Sequence, residues 1–134
     1  MTAHLHHAHL FSSDLDAAIA FYRDLLGGEV VADLEMAGAR NVFMKLGRGR
    51  LHFYDQPPKD QGRGAIHHLG ILVEDLEATV ERMQAGGVVL RKPISDYGLW
   101  KYVMAPGPDG VLLELFHFDL AQVPPEMRAY FFAD

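Results

Sequence analysis

The feature that most constrains this chain is a stretch that it contains twice. Leu5-His6-His7-Ala8-His9-Leu10-Phe11-Ser12-Ser13-Asp14-Leu15-Asp16 is echoed by Ala65-Ile66-His67-His68-Leu69-Gly70-Ile71-Leu72-Val73-Glu74-Asp75-Leu76-Glu77. Asp75 minus Asp14 gives an offset of 61, and the same offset joins His68 to His7, His67 to His6, Leu76 to Leu15 and Gly110 to Gly49. Each copy reads as an apolar strand running into a helix capped by an aspartate. A histidine among apolar residues is costly unless something uses it, and here one recurs at the same point in both copies.

The pattern between the copies completes the unit. After Asp14, Leu15, Ala18, Ile19, Tyr22 and Leu26 recur at helical spacing, and Gly27-Gly28 stops the helix. Glu29 to Leu34, Ala39 to Leu46 and Arg50 to Asp55 are expected strands. Gln56 to Gly64, with Pro57-Pro58 and two glycines, is a polar connector. In the second copy Ile66 to Val73 is an expected strand. The helix after Asp75 carries Leu76, Thr79, Val80 and Met83 and ends at Gly86-Gly87. Val88 to Ile94, Leu99 to Ala105 and Val111 to His117 are expected strands. Residues 119–134 form a tail with a short helix expected from Pro124-Pro125, and its apolar Tyr130-Phe131-Phe132 should cover something. The expectation is an α+β fold. Two tandem βαβββ modules, approximately 1–56 and 65–118, would form one domain over 1–134, their sheets curved around a shared cleft.

Composition narrows the chemistry. The formal charge of −6 disfavours nucleic acid and anionic membranes as partners. With no cysteine, thiolate nucleophiles, thiolate metal sites and disulfides are excluded, which fits a cytoplasmic protein. No apolar run reaches the ~20 residues that cross a bilayer, and no signal peptide is expected.

With these motifs the chain resembles the vicinal oxygen chelate superfamily, which includes glyoxalase I, epimerases, fosfomycin-resistance transferases, extradiol dioxygenases and bleomycin-binding proteins. The resemblance runs from His7 to Phe116. It rests on His7 seven residues before Asp14-Leu15, on Ala18-x-x-Phe21-Tyr22-x-x-x-Leu26-Gly27, on His68 before Asp75-Leu76, and on Pro108-Asp109-Gly110-Val111-Leu112-Leu113-Glu114-Leu115. It implies a divalent metal held by His7, His68 and Glu114. The donor chemistry agrees, since imidazole and carboxylate suit Zn, Ni, Fe, Mn or Co.

A fourth ligand follows from alternation. The offset of 61 pairs Glu114 with Phe53, which binds no metal. If Leu51 and Phe53 share the apolar phase of Leu113 and Leu115, His52 and Tyr54 face the cleft, and a one-residue slip pairs His52 with Glu114. That departs from glyoxalase I, which has a glutamate there. Glu114, His52, His9 and Tyr102 are thus candidate acid–base groups, and Tyr54, Trp100 and Met104 candidate substrate contacts. Trp100, Tyr102 and Met104 share one strand face, either cleft wall or helix packing. His6 and His67 are expected on the opposite face from the ligands, as structural residues. Gly47-Arg48-Gly49-Arg50 and Gly62-Arg63-Gly64 read as turns.

The resemblance implies an isomerase or lyase acting on a small metal-chelated carbonyl substrate. The alternatives are an Fe(II) extradiol-type dioxygenase, a fosfomycin-type thiol transferase, for whose basic phosphonate contacts no residues are assigned although Lys92 and Lys101 are the nearby lysines, and a non-catalytic small-molecule binder. A homodimer is expected, because sheet edges and the apolar tail need cover.

Overall fold

The computed structural model describes residues 3–60, 62 and 64–131. The chain divides into two compact units, Met1–Ala65 with Gly107–Gly110, and Ile66–Pro106 with Val111–Asp134. Each holds one four-stranded mixed sheet, so the tandem βαβββ reading of the sequence is what the chain forms.

In the first unit the order is β1 (Ala8–Phe11), α1 (Leu15–Ala20), β2 (Glu29–Met36), β3 (Ala39–Leu46) and β4 (Gly49–Tyr54). The sheet order is β1-β4-β3-β2, with β1 and β4 parallel and the rest antiparallel. Asp14 is extended and its carboxylate accepts from Ala17 N at 3.0 Å, which starts α1. The helix widens into a π-turn over Phe21–Leu25, and Gly27, at φ +77°, ends it. Six α-helical residues do not hold together alone in water. Burial holds them here. Leu15, Ala18, Ile19 and Tyr22 are buried, as are Val42, Met44, Leu51 and Phe53 of the sheet, and the Tyr22 and Phe53 rings meet at 5.4 Å. Each large apolar side chain so buried contributes roughly 1.5–3 kcal/mol.

In the second unit the order is β5 (Leu69–Leu72), α2 (Leu76–Ala85), β6 (Ser95–Asp96), β7 (Trp100–Pro106) and β8 (Leu112–Phe118), with sheet order β5-β8-β7-β6. Asp75 repeats the cap of Asp14, accepting from Ala78 N at 2.9 Å, and Gly87, at φ +90°, follows the helix end. Leu76, Met83, Val103, Ala105, Leu113 and Leu115 are buried.

Three expected boundaries differ. Val88 to Ile94 is not a strand, and only Ser95–Asp96 pairs with β7. Val89 is 75% exposed, Arg91 and Lys92 are exposed, and Pro93 has no N–H to give a ladder. Leu5 to His7 and Ile66 to His68 also lie outside the strands, and Leu5 and Ile66 are largely exposed. The tail forms a 3₁₀ turn, Pro125–Met127, and a short helix α3, Arg128–Phe131. Phe131 packs on Phe118 at 4.9 Å and Trp100 at 5.7 Å. Phe132, expected to share that cover, and Arg63 of the second glycine-basic loop lie outside the described residues. No helix among the described residues is long and apolar enough to cross a membrane.

Candidate metal centre

Strand alternation decides what each sheet shows on the face away from its helix. In β4, Leu51 and Phe53 are buried while His52 and Tyr54 are only partly so. In β8 the same alternation buries Leu113 and Leu115 and turns Glu114 and Phe116 the other way. The ladders make the two positions equivalent. His52 stands opposite His9 and Glu114 opposite Gly70; 9 and 70 differ by 61, whereas 52 and 114 differ by 62. The slip of one residue therefore lies between the first and last strands of the unit.

In the first unit the histidines gather. His7 and His52 stack at 3.7 Å with planes 15° apart, and His9 meets His52 edge-on at 5.8 Å. Phe43, opposite His52 on β3, stacks on the His52 ring at 4.1 Å. One nitrogen from each of His6, His7 and His52 falls within 4.8 Å of the others, close enough for a common ion. This corrects the expectation that His6 points away. Residues before Ala8 are not in a strand, so alternation does not govern them. His9 and His52 are held below the ordinary imidazole range, first by burial and then by the neighbouring His7; for His52, His9 and His6 add to this. Both are thereby biased towards the neutral, proton-accepting form.

His9, Phe11, Tyr54 and Lys59 line a shallow depression of about 360 Å³. Asn41, buried, ties the β2–β3 hairpin by donating to the Met36 and Ala39 carbonyls, and the Tyr54 hydroxyl donates to Ala37 O at 3.2 Å. Tyr54 therefore presents its ring, edge-on to His9, rather than its hydroxyl.

In the second unit His68 Nε2 lies 3.2 Å from Glu114 Oε2. Glu114 is flanked on one side by Gly70, which has no side chain to crowd it, and on the other by Met104. His67, expected on the opposite face, instead meets His68 with Nδ1 atoms 2.8 Å apart; it too precedes the strand. Trp100, Tyr102 and Met104 alternate with buried Val103 and Ala105, so they turn away from the helix side. Trp100 is taken up by packing, stacked on Phe116 at 4.5 Å. Tyr102 stands opposite Phe116, two pairs along from Glu114 and so on the same face. Lys101 sits near Glu77 and Asp96, at 3.9 and 3.8 Å, and does not share that face with Glu114. His117 donates from Nδ1 to Val73 O and is structural.

The donors fit a divalent ion of the Zn, Ni, Fe, Mn or Co group. Imidazole and carboxylate are the right types, and Glu114 is a carboxylate only 16% exposed among the apolar Leu112, Leu113, Leu115 and Phe116 of its strand. The sequence reading missed His6, Phe43 and Lys59. Phe43 was within reach, since pairing β3 with β4 through the Gly47-Arg48 turn sets it opposite His52.

Known structures share this fold. A structure of SMU.1112c is 26% identical with a TM-score of 0.71, covering 87% of this chain and 99% of that one. The fosfomycin resistance protein FosX from Listeria monocytogenes, complexed with Mn(II) and sulfate, is 20% identical with a TM-score of 0.73, covering 91% and 98%. FosX from Mesorhizobium Loti is 18% identical with a TM-score of 0.72, covering 91% and 97%. No protein of curated function matches in sequence. A family model spans residues 4–115, taking in both histidine pairs and Glu114, and by that match the chain belongs to the Glyoxalase/Bleomycin resistance protein/Dioxygenase superfamily.

Proposed function

We propose that the chain is a divalent-metal-dependent enzyme of this superfamily, an isomerase or lyase that moves a proton on a small metal-chelated carbonyl substrate. The ligand candidates are His7 and His52 in the first unit and His68 and Glu114 in the second, and His52 takes the position in its sheet that Glu114 holds in the other. The observation that carries this reading is the imidazole–carboxylate pair, His68 just before β5 and Glu114 between Leu113 and Leu115 of β8, at 3.2 Å. Such an ion, when bound, supplies Lewis acidity to a carbonyl oxygen. Glu114, His52 and His9 are the groups able to accept or return the substrate proton, the two histidines because burial, followed by the neighbouring His7, lowers their affinity for a resident proton. Tyr102 is a candidate hydroxyl donor, while Tyr54 and Met104 orient the substrate by ring and thioether contact.

A second reading is a fosfomycin-type reaction on a phosphonate. The FosX structures with Mn(II) favour it by fold, and Lys59 beside His9 offers a cation to an anionic group. We further propose a homodimer, because Phe11, Leu72 and Tyr130 remain 40%, 52% and 83% exposed. Light scattering that shows a monomer at micromolar concentration would refute that part.

The test is metal analysis of untagged protein, then activity of Ni-, Co-, Mn- and Fe(II)-loaded forms. The substrates are hemithioacetals, acyl-CoA thioesters, fosfomycin and catechols. About one ion per chain is expected, with His68→Ala and Glu114→Ala each losing at least ~10-fold in affinity. Retention of stoichiometric metal by both variants would overturn the assignment. Ring cleavage by the iron form alone would move the chain to the dioxygenases.

A further inference from the structure

One geometry occurs twice. In the first unit the Nδ1 atoms of His6 and His7 lie 3.0 Å apart, with ring centroids at 5.2 Å and planes at 87°. In the second unit the Nδ1 atoms of His67 and His68 lie 2.8 Å apart, at 5.1 Å and 84°. Consecutive residues in a strand point to opposite faces and could not meet so. Both pairs can, because each ends just before its strand begins, at Ala8 and at Leu69. Two nitrogens at this distance form a hydrogen bond only when one carries a proton and the other presents a lone pair.

We propose that His6 and His67 are positioning residues. Each accepts a hydrogen bond from the Nδ1–H of the histidine that follows it, and so holds His7 and His68 with an Nε2 lone pair turned to the metal. This rests on the metal reading above. A neutral imidazole has a single N–H, so placing it on Nδ1 frees Nε2. In the second unit Nε2 is the atom that faces Glu114, at 3.2 Å. A metal-bound histidine ordinarily donates its other N–H to a carboxylate, a carbonyl or water, which fixes both tautomer and ring orientation. In this chain the acceptor is the preceding side chain. The arrangement is written into the sequence as His-His in both copies, at the offset of 61 that relates them.

The test uses the full chain. His67→Phe keeps the ring but removes the acceptor, and His67→Asn restores an acceptor oxygen near the Nδ1 position. Zn(II) affinity is read by competition with a chromophoric chelator. ¹⁵N NMR reads which nitrogens carry protons, and any nitrogen–nitrogen coupling across the bond. The expected result is a loss of about 10–100-fold in affinity for His67→Phe at unchanged stoichiometry, recovered largely by His67→Asn. In the Zn form His68 should show Nδ1–H coupled to an unprotonated His67 Nδ1. Affinity unchanged in His67→Phe, or a protonated Nδ1 on His67, overturns the proposal. The same variants at His6 distinguish a positioning role from direct ligation with His7 and His52. Loss of one bound ion that His6→Asn fails to restore makes His6 a ligand and overturns its half. If the parent protein binds no ion, the metal reading fails by itself. The pairs are then judged on metal-free NMR, where a proton on His68 Nδ1 shared with an unprotonated His67 Nδ1 supports them and a proton on His67 Nδ1 overturns them.

Discussion

Replacing Gly28 by alanine should destabilise the first unit through one contact. Gly28 is buried just after α1, and its N–H donates to Tyr22 O at 2.9 Å. A Cβ there would stand 2.4 Å from Met44 Sδ, 3.2 Å from Met44 Cγ and 3.1 Å from Tyr22 O. Met44 is 1% exposed, so the thioether has no exit to solvent, and Tyr22 O is backbone. Overpacking of this kind costs about 1–3 kcal/mol. The stiffer unfolded chain of the alanine variant offsets about 0.4–1 kcal/mol. The net is roughly 1–2 kcal/mol of lost stability. At about 2.1 cal/mol/K per residue over 134 residues, that lowers Tm by about 4–7 °C. Met44→Ala alone should cost about 2–5 kcal/mol by leaving a cavity. In the double variant the new methyl enters that cavity, so the combined loss should fall short of the sum by at least ~1 kcal/mol. Thermal and urea unfolding followed by far-UV circular dichroism measures all four proteins. Simple additivity, or a Gly28→Ala variant as stable as the parent, would refute the packing argument.

Two further outcomes are expected. Asp14→Ala and Asp75→Ala remove caps of matching geometry, so each should cost ~1 kcal/mol and by similar amounts; urea midpoints that differ widely would show that the two helix starts are not equivalent. In chelator-treated protein, burial lowers the His9 and His52 pKa values from an ordinary 6.5. The unfolded chain then binds more protons just below that value, so their contribution is complete above it and shrinks as pH falls through 6.5 towards the folded pKa. Urea midpoints from about pH 8 to about pH 5 should decline accordingly, with His52→Asn flattening the slope; an unchanged slope would contradict the assignment.

The elements legible in the sequence are those where two independent signals coincide. Asp14 and Asp75 are cap residues followed by helical spacing, and both helices begin where that predicts. Ala39 to Leu46 combines strand formers with turn residues on either side and is reproduced as β3. Alternation in Leu51-His52-Phe53-Tyr54 assigned faces correctly because a strict period of two leaves only two choices. Val88 to Ile94 failed because apolar composition says nothing about whether a partner strand is available. His6 and His67 were assigned to the wrong side because alternation was carried past the last ladder pair. Lys59 could not be placed from a connector without periodicity, since only the fold brings it beside His9.

Strand β2 is the outermost strand of its sheet, and its Val31 is an extra residue where the pairing with β3 shifts between Val30 and Ala32. Val30, Val31, Leu34 and Met36 are all substantially exposed along it. An edge of that length and character is the kind of surface on which chains stack into fibrils. The bulge breaks the straight row of N–H and C=O groups that a second chain would need, and Glu29 and Glu35 repel an identical strand laid against it, while Asp33 is paired with Arg40 of β3 at 2.8 Å. Glu29 and Glu35 therefore guard colloidal behaviour rather than folding. Replacing them with neutral residues would remove that protection against self-assembly.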